Sequence, residues 1–139
     1  KINMQLQVKL NLEYETFENI VVTALEGGSN YWYILGDIKG CPFPDELPGK
    51  APSERIAYGL WHNKDAEVYI HDCEMDIRSE SDDDGELLGI LTHNSVRERM
   101  QLATINHLSE LESMISGDFD AWTADTLFQV LVMGEVVFG

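Results

Sequence analysis

The last third of the chain most constrains the fold, because its residues recur with the period of an α-helix. Between Ser95 and Gly117 the recurring positions are Val96, Met100, Ala103, His107, Leu108, Leu111 and Ile115. Between Asp120 and Gly134 they are Ala124, Leu127, Phe128, Leu131 and Val132. Asn94 or Ser95 and Asp120 are suitable N-caps, and each stripe stops at a glycine. The pattern predicts two amphipathic helices, with His107 as a hydrogen-bonded core histidine.

The first third predicts a strand and then a helix. Across Met4–Leu12, Leu6, Val8, Leu10 and Leu12 alternate with Gln5, Gln7, Lys9 and Asn11. This period of two is typical of a half-buried strand. Helical spacing follows at Phe17, Ile20, Val21, Ala24 and Leu25. Thr16 is the candidate N-cap of that helix and Gly27 its C′ glycine.

The middle of the chain predicts a loop, a short helix and a hairpin. Seven glycine and proline residues between Gly36 and Pro52 indicate an irregular loop over residues 36–52. A short helix is expected from Ser53 to about Leu60. The runs "AEVYIHDCEM" and "ELLGILT" predict an antiparallel hairpin with an acidic connection over residues 72–86. The expected fold is α+β, a small antiparallel sheet of about three strands with three to four helices, in the order β-α-(α)-β-β-α-α.

Size and charge narrow the class of protein. The 139 residues, 44% of them hydrophobic, predict one globular domain over residues 1–139. Asp and Glu number 25 against nine Lys and Arg, which gives a net charge of -16. A bare nucleic acid is therefore disfavoured as a partner. Two cysteines and the lack of an apolar run of about 18 residues favour a cytoplasmic setting with no membrane contact.

The acidic segment 72–86 holds eight carboxylates against Arg78, so it should project into water. Glu80, Asp82, Asp84 and Gly85 match positions 1, 3, 5 and 6 of a calcium-binding EF-hand loop, but position 12 is Leu91 where a glutamate is required. We interpret the segment as a solvated hairpin tip. A sharper alternative is that its carboxylates imitate the phosphates of a duplex and occupy a nucleic-acid-binding protein.

Motifs for catalysis, metals and cofactors give no positive signal. His71 and Cys73 form a His-x-Cys pair, but a zinc site needs three or four ligands. "GGSNYW" lacks the G-x-S-x-G nucleophile elbow, and the chain has no phosphate-binding glycine loop. The sequence therefore predicts a non-enzymatic protein without a metal or cofactor. A metal-dependent hydrolase that uses Asp, Glu and His71 is the remaining alternative.

The segment "GGSNYWY" is the best candidate for a site. Ser29 and Asn30 supply short polar groups, and Trp32 should lie on one face of the following extended segment with Tyr31 and Tyr33 on the other. Aromatic faces beside small polar groups suit a planar ligand such as a nucleobase. The alternative is that the glycines only end a helix and that Trp32 belongs to the core.

A second polar group lies in "TADTLFQVLVMGEVVFG". Asp125 and Gln129 lie four residues apart on one helix face, and Glu135 follows Gly134. These side chains either tie the last helix to the "SNYW" loop or line a pocket shared with it. Arg55, Arg97 and Arg99 are cations that could meet a phosphate there.

At "ALEGGSNYWY" and "TADTLFQVLVMGEVVFG" the chain resembles a family of small proteins encoded by tailed bacteriophages and bacterial mobile elements. The resemblance runs from about Leu10 to the end of the sequence. No activity is established for the family, so the resemblance implies an origin and no catalytic residues. Small accessory phage proteins often act stoichiometrically against host defence, which is an association and not a chemical argument.

Two functional hypotheses follow. In the first, a pocket beside "GGSNYWY" sequesters a small ligand of the class of a nucleotide immune signal, through Ser29–Tyr33, Asp125, Gln129, Glu135, Arg97 and Arg99. In the second, an acidic surface inhibits a host defence protein, through Asp76, Glu80, Asp82, Asp83, Asp84 and Glu86. A homo-oligomer is compatible with either hypothesis.

Overall fold

Five α-helices and a three-stranded antiparallel sheet form the part of the chain that the computed structural model describes, residues 2–6, 9–73 and 85–139. The elements in chain order are α1 (Tyr14–Thr23), a π-helical turn (Ala24–Gly28), β1 (Tyr33–Lys39), α2 (Pro52–His62), β2 (Glu67–Asp72), β3 (Leu87–Thr92), α3 (His93–Asn106), α4 (Leu108–Ser116) and α5 (Ala121–Met133). The α+β prediction is confirmed. No helix among the described residues is both long and apolar enough to cross a membrane.

The sheet has the order β1-β2-β3, with both pairs antiparallel. Tyr33 lies opposite Asp72 in the first pair, and Glu67 lies opposite Thr92 in the second. The predicted hairpin of β2 and β3 is therefore confirmed. Within its acidic connection, residues 74–84 lie outside the described residues.

The strand predicted over Met4–Leu12 is wrong for the residues described there, since residues 2–6 and 9–12 join no strand. The strand that completes the sheet beside the β2–β3 hairpin is β1, which pairs with β2 and packs Tyr33 and Leu35 against the core. Strand pairing is a tertiary event, so period-two alternation alone cannot show that a partner exists.

The loop predicted over residues 36–52 begins at Gly40, because β1 continues to Lys39. Gly36 lies within a register shift between Leu35 and Ile38, where a Cβ atom would come within 2.6 Å of the His71 ring. This glycine permits a bulge and a close cross-strand approach, so it does not end the strand.

The helix predicted from residue 94 or 95 to Gly117 is two helices, α3 and α4. His107 separates them with φ -138° and ψ 43° and is half-buried, so its predicted place in the core is wrong. The N-cap of α3 is Thr92, whose Oγ1 accepts the Ser95 N–H at 3.0 Å. Asp120 caps α5 as predicted, with Oδ1 2.9 Å from the Thr123 nitrogen.

Helix α5 is central to the packing, because it contacts α1, α3, α4 and β3. Its residues from Thr123 to Val132 are all buried, which is more than an amphipathic stripe requires. The buried apolar residues form one cluster between the helices and the sheet. The largest fully buried side chains in that cluster include Trp32, Phe17, Phe128, Ile20, Ile56, Leu60, Ile70 and Leu91.

The double glycine after α1 closes the π-helical turn, and Gly27 and Gly28 have different surroundings. A Cβ atom on Gly28 would lie 2.8 Å from the Ala121 carbonyl oxygen, whereas one on Gly27 would meet nothing within 4 Å. We expect Gly28→Ala to lower the free energy of unfolding by about 1–3 kcal/mol through overpacking. The matched Gly27→Ala should change it by less than about 1 kcal/mol. Urea unfolding of both variants tests this, and equal midpoints would contradict it.

Candidate functional site

The polar residues singled out in the sequence meet at the buried carboxylate of Asp125, which is 3% exposed. Its Oδ1 accepts the Ser29 hydroxyl at 2.7 Å and the Trp32 indole N–H at 2.7 Å. Its Oδ2 accepts the Tyr31 hydroxyl at 2.5 Å and the Gln129 amide at 3.1 Å. Four donors therefore surround a group that, as a carboxylate, can only accept.

Gln129 extends this network to the segment after α5. Its Oε1 accepts the backbone N–H groups of Val137 and Phe138, each at 2.8 Å. Its Nε2 donates to the Phe138 carbonyl at 3.0 Å. The Phe138 ring stacks on Trp32 at a centroid distance of 5.4 Å and an interplanar angle of 11°. Phe138 thus lies where a planar ligand of Trp32 would stack.

The predicted tie between the last helix and the "SNYW" loop is confirmed, and Trp32 is a core residue at 1% exposure. Tyr33 donates its hydroxyl to the Leu25 carbonyl at 2.6 Å, while Asn30 is exposed. Burial, with the hydrogen bond to Asp125 second, raises the pKa of Tyr31 to about 12. The phenol is therefore a neutral donor at physiological pH.

Three predicted site residues lie away from this network. Glu135 and Arg97 are exposed, and Arg97 lines a cleft on the helical side of the molecule. The guanidinium of Arg99 lies against Gly134. The described side chains around Asp125 thus form a closed hydrogen-bonded network, and these three charged residues are not part of it.

The cleft at Arg97, which we call the helical cleft, has a volume of about 360 Å³. Apolar side chains form most of its wall, and those from the first helices and the segment before them include Leu10, Leu12, Phe17 and Trp61. Arg97, Gln101 and Thr104 supply its polar side. These three share one face of α3 because they are spaced by four and three residues.

A second cleft, the proline cleft, has a volume of about 720 Å³. It is bounded by the end of β1, the proline-containing loop and α2, and its lining includes Lys39, Cys41, Pro42, Phe43, Pro44, Glu46, Arg55, Tyr58 and His62. Asn63 fixes the start of the loop by donating to the Gly40 carbonyl at 2.7 Å, where Gly40 has φ +74°. That left-handed conformation favours glycine.

Aromatic rings and cations meet in the proline cleft. Phe43 is 69% exposed, and the Tyr58 and His62 rings lie 4.3 Å apart between centroids. Arg55 donates one N–H to the Lys50 carbonyl at 2.8 Å, which leaves most of its five donors for other partners. Residues 39–64 hold four of the nine Lys and Arg residues but three of the 25 carboxylates. This clustering of cations in an otherwise acidic chain is the sequence feature that could have predicted an anion-binding cleft here.

Cys41 is held as a neutral thiol, and both members of the His-x-Cys pair contact backbone carbonyl groups. Burial raises the pKa of the Cys41 thiol to about 11, so it is protonated at neutral pH. His71 Nδ1 lies 2.9 Å from the Gly85 carbonyl oxygen, and the Cys73 thiol donates to the Tyr31 carbonyl at 3.0 Å. Across residues 2–6, 9–73 and 85–139, no three His, Cys, Asp or Glu side chains are grouped to hold a metal.

The predicted acidic surface falls largely outside the described residues. Asp76, Glu80, Asp82, Asp83 and Asp84 all lie in the undescribed connection, and with them most of the EF-hand-like match. Glu86, the remaining member, is exposed immediately before β3.

The chain was also compared with known proteins. No family model matches it, and no curated protein or solved structure gives a significant match.

Proposed function

We propose that the protein is a non-enzymatic binding protein that sequesters a small anionic ligand with a planar aromatic part, a nucleotide by chemical class, in the proline cleft. The observation that carries the proposal is that exposed rings line the same cleft as Lys39 and Arg55, with Glu46 as the one carboxylate among its described lining residues, in a chain of net charge -16. The cleft volume of about 720 Å³ falls within the range of small-molecule sites. The closed network at Asp125 favours this location over the "GGSNYWY" loop.

The rings and the cations have separate roles in this proposal. Stacking of a base on an aromatic side chain contributes on the order of 1–3 kcal/mol and tolerates different bases. The planar guanidinium of Arg55 suits bidentate hydrogen bonding to a phosphate. Because the net charge of the protein repels an anion at long range, added salt screens repulsion as well as the local attraction. Affinity should therefore depend weakly on salt.

Stoichiometric capture is the mode of action that we propose. A ligand held by stacking and phosphate contacts is removed from solution without being converted. For a chain that resembles small phage-encoded proteins, the corresponding role is counter-defence by trapping a nucleotide immune signal. The resemblance supports this role by association, whereas the cleft supports the ligand class by its chemistry.

Titration calorimetry with a panel of mononucleotides, linear oligonucleotides and cyclic nucleotides tests the proposal. Arg55→Ala should weaken binding by about tenfold or more, since a hydrogen bond to a charged group contributes about 1.5–3 kcal/mol. Arg97→Ala is the matched control, because it removes the same charge from a different cleft. Binding to no member of the panel, or equal losses in the two variants, would contradict the proposal.

The second candidate is an acidic inhibitor that docks on a cationic host defence protein. It is favoured by the sparse pairing of charges: between described residues, the structure contains one ion pair, Lys50–Glu54 at 3.4 Å. With 25 carboxylates against nine Lys and Arg, the chain has too few cations to pair with most of its carboxylates. Under this hypothesis, a variant with Asp82, Asp83 and Asp84 all changed to Asn should no longer bind the defence protein. Arg55→Ala should leave that binding intact.

A further inference from the structure

The segment before α1 has alternating apolar residues, and several of them are not packed against the rest of the chain. Apolar side chains occupy every even position from residue 2 to residue 12. Leu10 and Leu12 are half-buried and line the helical cleft. On the same side of the alternation, Ile2, Met4 and Leu6 are 103%, 83% and 78% exposed. These three exposed side chains continue the apolar face of which Leu10 and Leu12 are packed in the cleft. Neighbouring apolar side chains exposed to water indicate a surface that binds a partner.

We propose that this segment docks Ile2, Met4 and Leu6 in the helical cleft of a second copy of the chain. Continuity is the first reason, because the cleft already accepts Leu10 and Leu12 from the same alternating face. The described wall of the cleft also offers matching apolar surface from Met100, Leu111 and Ile115. The segment therefore continues, on the partner, the contact that it begins on its own chain.

Charge is the second reason, and it concerns the acidic body of the other copy as a whole, because Arg97 is the one charged residue among the described residues that line the cleft. Residues 1–12 contain Lys1 and Lys9 and no carboxylate, whereas all 25 carboxylates lie after residue 12. Two acidic bodies repel each other, but this segment is attracted to the body of another copy. The exchange can be reciprocal, as in a two-fold symmetric dimer.

The polar side of the cleft suits an extended segment. Arg97, Gln101 and Thr104 form a row on α3 that can donate hydrogen bonds to backbone carbonyls or pair with Gln5. A segment that contributes three side chains buries little area, so the dimer should be weak and dependent on concentration. The proposal is independent of the proline cleft and of its ligand.

Sedimentation over about 1 μM to 1 mM protein, the range of weak association, tests the dimer. The wild-type chain should dimerise, and a variant with Ile2, Met4 and Leu6 all changed to Ser should stay monomeric with an unchanged melting temperature. Ile105→Ser is the control, because Ile105 is 77% exposed on α3 and does not line the cleft. A monomeric wild-type chain, or a triple variant that still dimerises, would overturn the proposal.

Disulfide trapping locates the contact. In chains whose Cys41 and Cys73 are replaced by Ser, one copy with Met4→Cys is mixed with another carrying Thr104→Cys. Cross-linked dimers are expected with Thr104→Cys and not with the neighbouring Ile105→Cys. Equal cross-linking of the two would refute the cleft as the docking site. A disulfide formed within one monomeric chain that carries Met4→Cys and Thr104→Cys would refute the second copy.

Discussion

Replacing Asp125 with alanine is expected to lower the free energy of unfolding by about 2–6 kcal/mol, because it removes a buried acceptor and leaves two fully buried donors unpaired at about 1–3 kcal/mol each. Ser29 and Trp32, at 0% and 1% exposure, are buried donors that lose this acceptor. Tyr31 and Gln129 lose the same partner but keep other contacts or solvent. Urea unfolding followed by circular dichroism measures the loss.

Asp118→Ala is the matched control, because it removes the same charge from an exposed position between α4 and α5. In a chain of net charge -16, that change should leave stability equal or slightly higher. Asp125→Asn tests the chemistry further, since an amide keeps the size of the side chain but replaces one acceptor with a donor. Wild-type stability in Asp125→Ala would show that the network does not hold α5 to the loop.

Elements with a clear local pattern could be predicted from the sequence. The β2–β3 hairpin has alternating Val68 and Ile70, both buried at 0% exposure. Helix α5 combines a helical stripe with a capping aspartate, Asp120, and a left-handed Gly134 at its end. In these places local propensity and tertiary packing agree, which is the condition under which sequence reasoning works.

Elements that depend on a distant partner could not be predicted. Met4–Leu12 has the pattern of a half-buried strand but no strand partner among the described residues, whereas β1 contains a glycine that suggested a loop. The reason for Gly36 is the His71 ring on the neighbouring strand, which no local pattern reveals. The break at His107 was hidden because the apolar spacing continues on both sides of it.

The candidate site could be predicted in part from the sequence. Asp125, Gln129 and the "SNYW" residues were associated correctly, since short polar groups beside aromatic residues need partners when buried. Whether they bind each other or a ligand depends on Phe138, which closes over Trp32. Arg55 is recognisable as a cation for a phosphate and Tyr58 is its neighbour on α2, but Phe43 comes from the loop and joins them only in the fold.

The separation of the two regions gives the stability and binding experiments different meanings. Variants at Asp125 should change unfolding without a selective effect on a ligand of the proline cleft. Variants at Arg55, whose structural hydrogen bond is an exposed contact to Lys50, should change binding with little effect on unfolding. A variant that alters both equally would indicate that the "GGSNYWY" network is part of the binding site after all.

Trp32→Ala is expected to cost about 3–5 kcal/mol of stability, the usual range for removing a large aromatic side chain from a core. Its ring packs against Phe138 and, at 5.8 Å between centroids, against Phe128, and its indole N–H is bound to Asp125. The structural role of Trp32 therefore combines packing with a buried hydrogen bond.

Trp122→Ala provides the matched control for Trp32→Ala, because Trp122 is 66% exposed at the start of α5 and its loss should change stability by less than about 0.5 kcal/mol. Trp32→Phe should lower stability by an amount between those of Trp122→Ala and Trp32→Ala, because it keeps a ring against Phe138 but removes the donor to Asp125. Circular dichroism is the suitable probe, as the substitutions change the fluorescence itself. If Trp32→Ala unfolded at the same urea concentration as Trp122→Ala, Trp32 would not be a core residue. Its face would then be free for a planar ligand, which would restore the alternative that the closed network argues against.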